Sequence, residues 1–159
     1  MTEAPKYTKT EIERRWIVRL ERAESLSPSR TRRIEDKYIA NTRLRLRKVL
    51  EDGAVPSFKL GKKYGHSGTN SEPVASLYLT ETEHATLNEL PGVTAVKTRL
   101  SIEAGSLDMY VLPKLAFAVF EVEFLSLADA AAYEPPAFVT TEVTGDEEFS
   151  GFKLASSGA

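Results

Sequence analysis

Four segments of this 159-residue chain carry charges of one sign at every second position. The carboxylate pairs are Glu11/Glu13 and Glu121/Glu123, and the basic pairs are Arg45/Arg47 and Lys97/Arg99. Because side chains alternate between the two faces of a β-strand, this spacing puts both charges of a pair on one face. Two such carboxylates lie about 7 Å apart and repel by about 2 kcal/mol at an effective dielectric constant of about 20. Repeated pairs on one face therefore indicate a bound cation.

The opposite faces of the two acidic strands are apolar, and Trp16, Phe120 and Phe124 on them predict burial. Three arrangements agree with this pattern. The charged faces are solvated, or the acidic strands neutralise the basic ones without a ligand, or the sheet curls around a polar cavity. Internal neutralisation is costly because the desolvation of both partners often cancels their attraction. Four pairs sorted by sign favour the cavity, with one acidic side and one basic side.

The rest of the chain reads as further strands separated by turns and short helices. Besides the first strand at residues 11–20, strands are predicted over residues 34–39, 42–50, 55–60, 74–79, 95–102, 106–112, 114–125 and 140–143. Helices are predicted near residues 27–33, from a capping box at residues 80–83 to residue 90, over residues 127–133 after a Ser126 cap, and as a turn over residues 149–154. Residues 61–73, rich in Gly, Ser, Asn and Lys, predict a mobile loop that carries Lys62, Lys63 and His66.

Composition narrows the function classes. The chain has no cysteine, and His66 and His84 are not spaced for zinc, so any metal would be a hard cation held by oxygen. A formal net charge of -2 argues against a broad nucleic-acid interface. No apolar run is long enough for a membrane span, and the polar N-terminus lacks the apolar core of a signal peptide. We expect one cytoplasmic domain over residues 1–159, with a core over about 7–154 and flexible termini.

The two sides of such a cavity suit different parts of one ligand. Arginine presents a planar fork that matches phosphate oxygens, so the basic side suits a chain of several phosphates. Carboxylates suit Mg²⁺ or Mn²⁺, which bridge them to phosphate oxygens.

The order of these motifs resembles the CYTH proteins, also called triphosphate tunnel metalloenzymes. The family's E-x-E-x-K stands here as Glu11-Ile12-Glu13-Arg14-Arg15. The other matches, in order, are Asp36-Lys37-Tyr38-Ile39, Leu44-Arg45-Leu46-Arg47, Phe58-Lys59, Lys97-Thr98-Arg99, Leu107-Asp108-Met109-Tyr110, Phe120-Glu121-Val122-Glu123-Phe124, and Pro135-Pro136 followed by Glu142-Val143-Thr144-Gly145-Asp146. Together they cover roughly residues 7 to 154.

The resemblance implies an α+β, mainly antiparallel fold: a closed, tunnel-like barrel of about eight strands, with a charged lumen and helices packed outside. It also implies hydrolysis of a triphosphate with Mg²⁺ or Mn²⁺, in small bacterial-type members most often inorganic tripolyphosphate. The implied metal ligands are Glu11, Glu13, Glu121, Glu123 and Glu142. The implied substrate-binding residues are Arg15, Arg45, Arg47, Lys59, Lys97 and Arg99. Catalytic roles fall to Glu11, Glu13, Lys97 and Tyr38.

Two positions depart from the family pattern. Arg15 replaces a lysine, which keeps the charge but loses the compact ammonium. The middle acidic strand stands as Ser76-Leu77-Tyr78, so we expect a metal site with fewer carboxylates. Three residues also have structural interpretations in place of a functional role. Lys59 could be a solvated loop charge, Tyr38 a core tyrosine, and Asp108 the carboxylate that orients a basic neighbour.

Three functions agree with the sequence. The first is a metal-dependent inorganic triphosphatase, in which water attacks directly because no histidine or serine is placed as a nucleophile. The second keeps the tunnel but acts on a nucleoside or thiamine triphosphate, or forms cyclic AMP. The third is a non-catalytic polyphosphate- or nucleotide-binding module. In each case the expected partner is a small anionic triphosphate, not nucleic acid or membrane, bound by a monomer or homodimer.

Overall fold

The computed structural model describes residues 3–66, 68 and 70–158, and this part of the chain forms a closed antiparallel barrel. Its strands are β1 (Lys9–Arg19), β2 (Arg30–Ile39), β3 (Leu44–Leu50), β4 (Ser57–Lys63), β5 (Ser71–Leu79), β6 (Gly92–Ile102), β7 (Gly105–Leu112) and β8 (Phe117–Phe124). They pair in the order β1-β5-β4-β3-β2-β6-β7-β8, and β8 pairs with β1 to close the sheet. The predicted mainly antiparallel, tunnel-like barrel is confirmed.

The two acidic strands are direct neighbours with matched faces. In the β1–β8 register, Glu13 is opposite Glu123 and Arg15 is opposite Glu121. Directly opposed residues of an antiparallel pair project to the same side of the sheet. The charged faces of β1 and β8 therefore form one surface, and closure of the sheet turns that surface inward.

The outer face of this part of the barrel holds an apolar core, as predicted from the aromatic residues of the acidic strands. Trp16 and Phe120 are buried there, and Phe124 is half-buried against them. The outer core is covered by helix α1 (Leu20–Glu24), by helix α3 (Leu127–Ala132) and by the segment that carries Phe138. Burial of these side chains is the main apolar gain of folding.

The remaining helices cap the barrel. Helix α2 (Glu81–Leu87) begins with the predicted capping box, in which Thr80 and Glu83 bond each other's backbone N–H groups. A short 3-10 helix (Glu147–Phe149) precedes helix α4 (Gly151–Ser156). Leu154 of α4 packs with Tyr110 and Val119, whose side chains project to the inner face of the sheet. Helix α4 therefore covers one end of the barrel with apolar contacts.

Two local predictions in the barrel were wrong, and the strand expected over residues 140–143 forms only an isolated bridge between Glu142 and Trp16. Residues 30–33, expected in a short helix, belong to β2 because they pair with residues 98–101 of β6. The predicted mobile loop is much shorter than expected, since residues 61–63 complete β4 and residues 71–73 begin β5. In both places inter-strand hydrogen bonds override the local preference of Ser, Pro and Gly for turns.

Asp52 and Gly53 form the turn that joins β3 to β4, and Gly53 has a positive φ of 76°, which glycine adopts readily. Among the described residues, no helix has the length and apolar content needed to cross a bilayer. Residues 1, 2 and 159 of the predicted flexible termini, and residues 67 and 69 of the predicted loop, lie outside the described residues.

Candidate active site

We call the space inside the barrel the lumen. One half of the surface that lines it is acidic. The carboxylate wall consists of Glu11, Glu13, Glu72, Glu121 and Glu123. These residues lie on the neighbouring strands β5, β1 and β8, in register positions that share the inward face. Four of them were predicted from their spacing, and Glu72 was not.

The facing half of the lumen is basic. The basic wall consists of Arg45, Arg47, Lys59, Lys97 and Arg99, all predicted as substrate-binding residues. They lie on β3, β4 and β6, with Arg47 directly opposite Lys59. The register brings the two walls together in one enclosed space.

Two buried aspartates fix much of the basic wall. Arg47 donates from Nε and Nη2 to the two oxygens of Asp36, at 2.7 and 2.8 Å. Arg99 makes the same paired contact with Asp108, at 2.7 and 2.8 Å. Paired contacts of this kind set the plane of a guanidinium. The alternative in which Asp108 orients a basic neighbour is therefore confirmed, and Asp36 has the same role.

The two aspartates also hold Lys97 in the interior. Its Nζ lies 2.8 Å from Asp108 Oδ2 and 3.9 Å from Asp36 Oδ2. Burial lowers the pKa of Lys97 to about 8, although the two carboxylates oppose that shift. The ring beside this ammonium is that of Tyr110, with its centroid 5.5 Å from Nζ.

Tyr38 packs against α4, which agrees with the alternative in which this residue is a core tyrosine. Its ring makes an edge contact with Phe152, with centroids 6.0 Å apart. Burial raises the pKa of the Tyr38 hydroxyl above its usual value. Its position under α4 therefore offers a packing role for this residue.

Some cations of the lumen keep their donors free. Arg45 Nε is buried without a hydrogen bond to a described residue and lies 4.0 Å from Asp36 Oδ1. Lys59 is half-buried, and its Nζ lies 5.8 Å from the ring centroid of Tyr78. Arg32, which was not predicted, is opposite Arg99 on the inward face, and its Nε also lacks a hydrogen bond. Free donors here can receive an anion.

The carboxylate wall is short of positive charge. Burial raises the pKa of Glu13 to about 8, and the nearby Glu121 adds to that shift. The pKa of Glu123 is also raised, by burial and then by Glu11 and Glu121. Burial alone would raise the pKa of Glu121, but the nearby cations, led by Arg15 and Arg99, together outweigh it and lower the pKa to about 2. A further cation beside Glu13 and Glu123 would stabilise their charged forms.

Arg15 lies on the inward face, as predicted, but its guanidinium makes one ion pair and one hydrogen bond within the protein. Its Nε is 3.2 Å from Glu121 Oε2, and its Nη1 donates to the Phe149 carbonyl at 2.6 Å. In this structure Arg15 joins the carboxylate wall to the segment that precedes α4. The planar guanidinium reaches both partners at once, which a lysine ammonium on a single stem could not do in the same geometry.

Glu142 is not part of the carboxylate wall, contrary to the expectation. It is opposite Trp16 in an isolated antiparallel bridge, so it shares the outer face of β1. There it accepts from Arg14 at 2.7 and 2.9 Å and from the Thr144 hydroxyl at 2.7 Å. Its contacts fasten the C-terminal segment to the outside of β1.

Glu72 and Lys63 were not predicted as site residues. They lie on the lumen side of the neighbouring strands β5 and β4. Lys63 Nζ lies 2.8 Å from Glu11 Oε1, 3.7 Å from Glu72 Oε1 and 3.9 Å from Glu13 Oε1. The expectation of a middle strand without a carboxylate was wrong, because Glu72 occupies that strand. The alternation of Lys59, Gly61 and Lys63 continues the period of β4, and this signal could have extended the strand into the presumed loop.

The donors of the carboxylate wall match a hard divalent cation, since all are oxygens and two carry raised pKa values. Across the part of the chain that the structure describes, no three acidic or histidine side chains converge as a ready-made metal site. Instead, the Lys63 ammonium lies 2.8 to 3.9 Å from an oxygen of each of three carboxylates.

Comparison with known proteins places the fold. No family model and no curated protein matches the chain. Two crystal structures of NE1496, described as a hypothetical protein and as an inorganic triphosphatase, share 22% identity with it, at TM-scores of 0.57 and 0.56. The matches cover 91% of this chain and 97% and 93% of NE1496.

A conserved hypothetical protein from Pyrococcus furiosus matches at 18% identity and a TM-score of 0.51, over 77% of this chain and 83% of its own. These likenesses extend over most of each chain. The chain has the tunnel fold on which an inorganic triphosphatase, NE1496, is also built.

Proposed function

We propose that this protein is a metal-dependent triphosphatase that hydrolyses inorganic tripolyphosphate to diphosphate and phosphate. One observation carries the proposal: a single lumen opposes a carboxylate wall to a basic wall. A linear polyanion with a bound divalent cation has the charge distribution that these two walls complement. The shared fold with NE1496 supports the same conclusion.

The phosphate chain is held by the basic wall. Arg45 and Lys59 offer free donors, whereas Arg47 and Arg99 use two donors each on aspartates and keep their remaining N–H groups. Fixed guanidinium groups can neutralise the phosphate oxygens without rearrangement, which is the main requirement of phosphoryl transfer. Lys97, with a pKa of about 8, can remain charged beside the leaving diphosphate or give it a proton.

The carboxylate wall would hold Mg²⁺ or Mn²⁺ through Glu11, Glu13, Glu121 and Glu123. When bound, the cation supplies charge neutralisation at the phosphate oxygens and lowers the pKa of water. Glu72 is a further candidate, since it lies opposite Glu11 on the neighbouring strand. Glu142 is left out of this proposal because of its outward position.

Water is the proposed nucleophile. Glu13, charged once the cation is bound, would accept a proton from water while the water oxygen bonds to the terminal phosphorus. The anhydride bond then breaks, and diphosphate leaves with the bonding electrons. Glu11 and Glu13 are the proposed catalytic carboxylates, and Lys97 the proposed catalytic cation.

The test is release of phosphate from tripolyphosphate, ATP and thiamine triphosphate, each with Mg²⁺, Mn²⁺ or chelator. We expect metal-dependent release from tripolyphosphate, lost in Glu13→Gln and kept in Glu89→Gln, an exposed carboxylate outside the lumen. Absence of release with every substrate, while tripolyphosphate still raises the melting temperature, would leave the non-catalytic binding module instead.

A second candidate substrate class is supported by Tyr78. This residue is opposite Lys59 on the inward face and is 77% exposed at the β5 end, away from α4. An exposed ring beside a phosphate-binding cation is able to stack on a nucleobase or a thiamine ring. Preference for ATP or thiamine triphosphate in the same assay, lost in Tyr78→Ala, would select this alternative.

A cytoplasmic location is also part of the proposal. Cell fractionation tests it, and size-exclusion chromatography with light scattering decides between monomer and homodimer.

A further inference from the structure

Lys63 occupies the centre of the carboxylate wall. Its ammonium donates to Glu11 Oε1 at 2.8 Å, while the nearest oxygens of Glu72 and Glu13 are at 3.7 and 3.9 Å. The three carboxylates come from β1 and β5, and the lysine comes from β4. The protein therefore supplies a cation of its own at the place where three acidic groups face one another.

One ammonium and one divalent cation cannot occupy this place together. The ammonium brings a single charge and forms one short hydrogen bond, and the nearest oxygens of the other two carboxylates approach it only at 3.7 and 3.9 Å. A divalent cation brings twice the charge and bonds several oxygens at about 2.0–2.2 Å. The exchange of one cation for the other therefore favours the metal at the carboxylates and releases the lysine.

The released side chain can move because it is not enclosed by protein. The Lys63 side chain is 43% exposed and carries a flexible four-carbon stem. On the same inward face of β4, Gly61 has no side chain, and a Cβ placed there would meet its nearest neighbours, Arg45 Nη2 among them, only at 3.9 Å. Gly61 lies between Lys63 and Lys59 along the strand, so no side chain separates the two lysines on the inward face of β4.

We propose that Lys63 is a displaceable internal counter-ion: a divalent cation enters the carboxylate wall by expelling the Lys63 ammonium from Glu11, Glu13 and Glu72. The inference rests on the proposed function, because it concerns the metal of that reaction. The inference assigns Lys63 a positioning role. Without metal, the lysine holds the carboxylates together; after the metal displaces it, its ammonium turns toward the basic wall. The apparent metal affinity is reduced by the fraction of molecules in which the lysine occupies the site.

The first experiment measures Mn²⁺ binding by electron paramagnetic resonance, without any phosphate. Lys63→Met removes the ammonium while keeping the length of the side chain, and should tighten Mn²⁺ binding about tenfold or more. Lys62→Met is the matched control, since Lys62 is the adjacent residue and projects to the outer face. Equal or weaker Mn²⁺ binding by Lys63→Met would overturn the inference.

The second experiment uses the unmodified protein and so does not depend on the folding of a variant. Lysine acetylation by an amine-reactive ester is followed at each site by mass spectrometry, with and without Mn²⁺. We expect Lys63 to be acetylated several times faster with Mn²⁺, while Lys62 does not change. An unchanged or slower Lys63 reaction in protein saturated with Mn²⁺ would show that the metal does not displace it.

The outcomes for the two proposals are separable. Metal-dependent phosphate release, together with an acetylation rate of Lys63 that Mn²⁺ does not change, would overturn only the counter-ion role. Displacement of Lys63 by Mn²⁺ without phosphate release from any triphosphate would overturn only the hydrolase.

Discussion

Arg47 and Asp36, on neighbouring strands, share two hydrogen bonds of 2.7 and 2.8 Å in the barrel interior, and both side chains are buried. Asp36 also lies 3.9 Å from Lys97 Nζ and 4.0 Å from Arg45 Nε. A single carboxylate thus anchors cations from β3 and β6. The basic wall is held by these anionic anchors, which keeps its repelling cations in place before any phosphate binds.

Removal of this anchor should destabilise the protein. Asp36→Asn leaves Arg47 buried without its counter-ion, and breaking a buried pair in this way costs about 3–5 kcal/mol. Urea unfolding at pH 7 measures the loss, with Asp52→Asn in the exposed β3–β4 turn as control. A loss no larger than that of the control would mean that the pair does not stabilise the barrel.

Stability should fall in acid. Burial alone would raise the pKa of Asp36 and Asp108. The surrounding cations, led by Arg47 at Asp36 and by Lys97 at Asp108, together outweigh burial and hold both pKa values well below the usual range. An acid with a depressed folded pKa contributes stability that is present above its unfolded pKa, about 3.9, and is lost as the pH falls below that value. Melting temperatures between pH 6 and pH 2 should drop below about pH 4. Asp108→Asn should flatten this dependence, and an equally steep curve for that variant would contradict it.

Arg45 should contribute to substrate binding without contributing much to stability. Its unpaired Nε and half-exposed guanidinium are available to phosphate, and a charge-assisted hydrogen bond is worth about 1.5–3 kcal/mol. Arg45→Gln should therefore weaken tripolyphosphate binding by about tenfold to a hundredfold in calorimetry. Lys48→Gln, on the outer face of the same strand, is the control, and equal affinities for the two variants would remove Arg45 from the site.

Arg15 should behave as a structural link between β1 and the C-terminal segment. Arg15→Lys restores the residue typical of the resembling family but cannot bond both Glu121 and the Phe149 carbonyl. We expect a loss of about 1–2 kcal/mol in unfolding free energy and faster amide exchange over residues 147–156. Arg19→Lys is the control, since Arg19 is exposed on the same strand, and it should change neither the unfolding free energy nor the amide exchange. Unchanged amide exchange in Arg15→Lys would show that the link is not needed.

Tyr38 should act through packing. A Cβ at Gly151 would overlap the Tyr38 hydroxyl, so Gly151→Ala should cost about 1–3 kcal/mol by overpacking, unlike Lys153→Ala on the exposed face of α4. Tyr38→Phe removes the overlapping atom and should recover part of that loss in the double variant. Tyr38→Phe alone should keep phosphate release, whereas a loss similar to that of Lys97→Met would give the hydroxyl a catalytic role.

Much of the barrel could be predicted from local patterns. The strands with the strongest alternation, β1, β3, β6 and β8, lie within a few residues of their expected bounds, and their charges face inward as expected. The weakly patterned segments failed. Glu72 follows a Gly- and Ser-rich stretch and precedes Pro73, a composition typical of loops, yet β5 forms there because β1 and β4 supply its hydrogen bonds.

The amino-acid sequence by itself determined which side chains share a face, because alternation along a strand is a local property with a period of two. It also determined that the faces are sorted by sign. Only the tertiary structure decided which charges meet. Closure and register of the barrel put Lys63 among Glu11, Glu13 and Glu72, bound Arg15 to Phe149, and turned Glu142 outward to Arg14. These partners are distant in sequence, so their distances depend on how eight strands are staggered around one lumen, which no local pattern encodes.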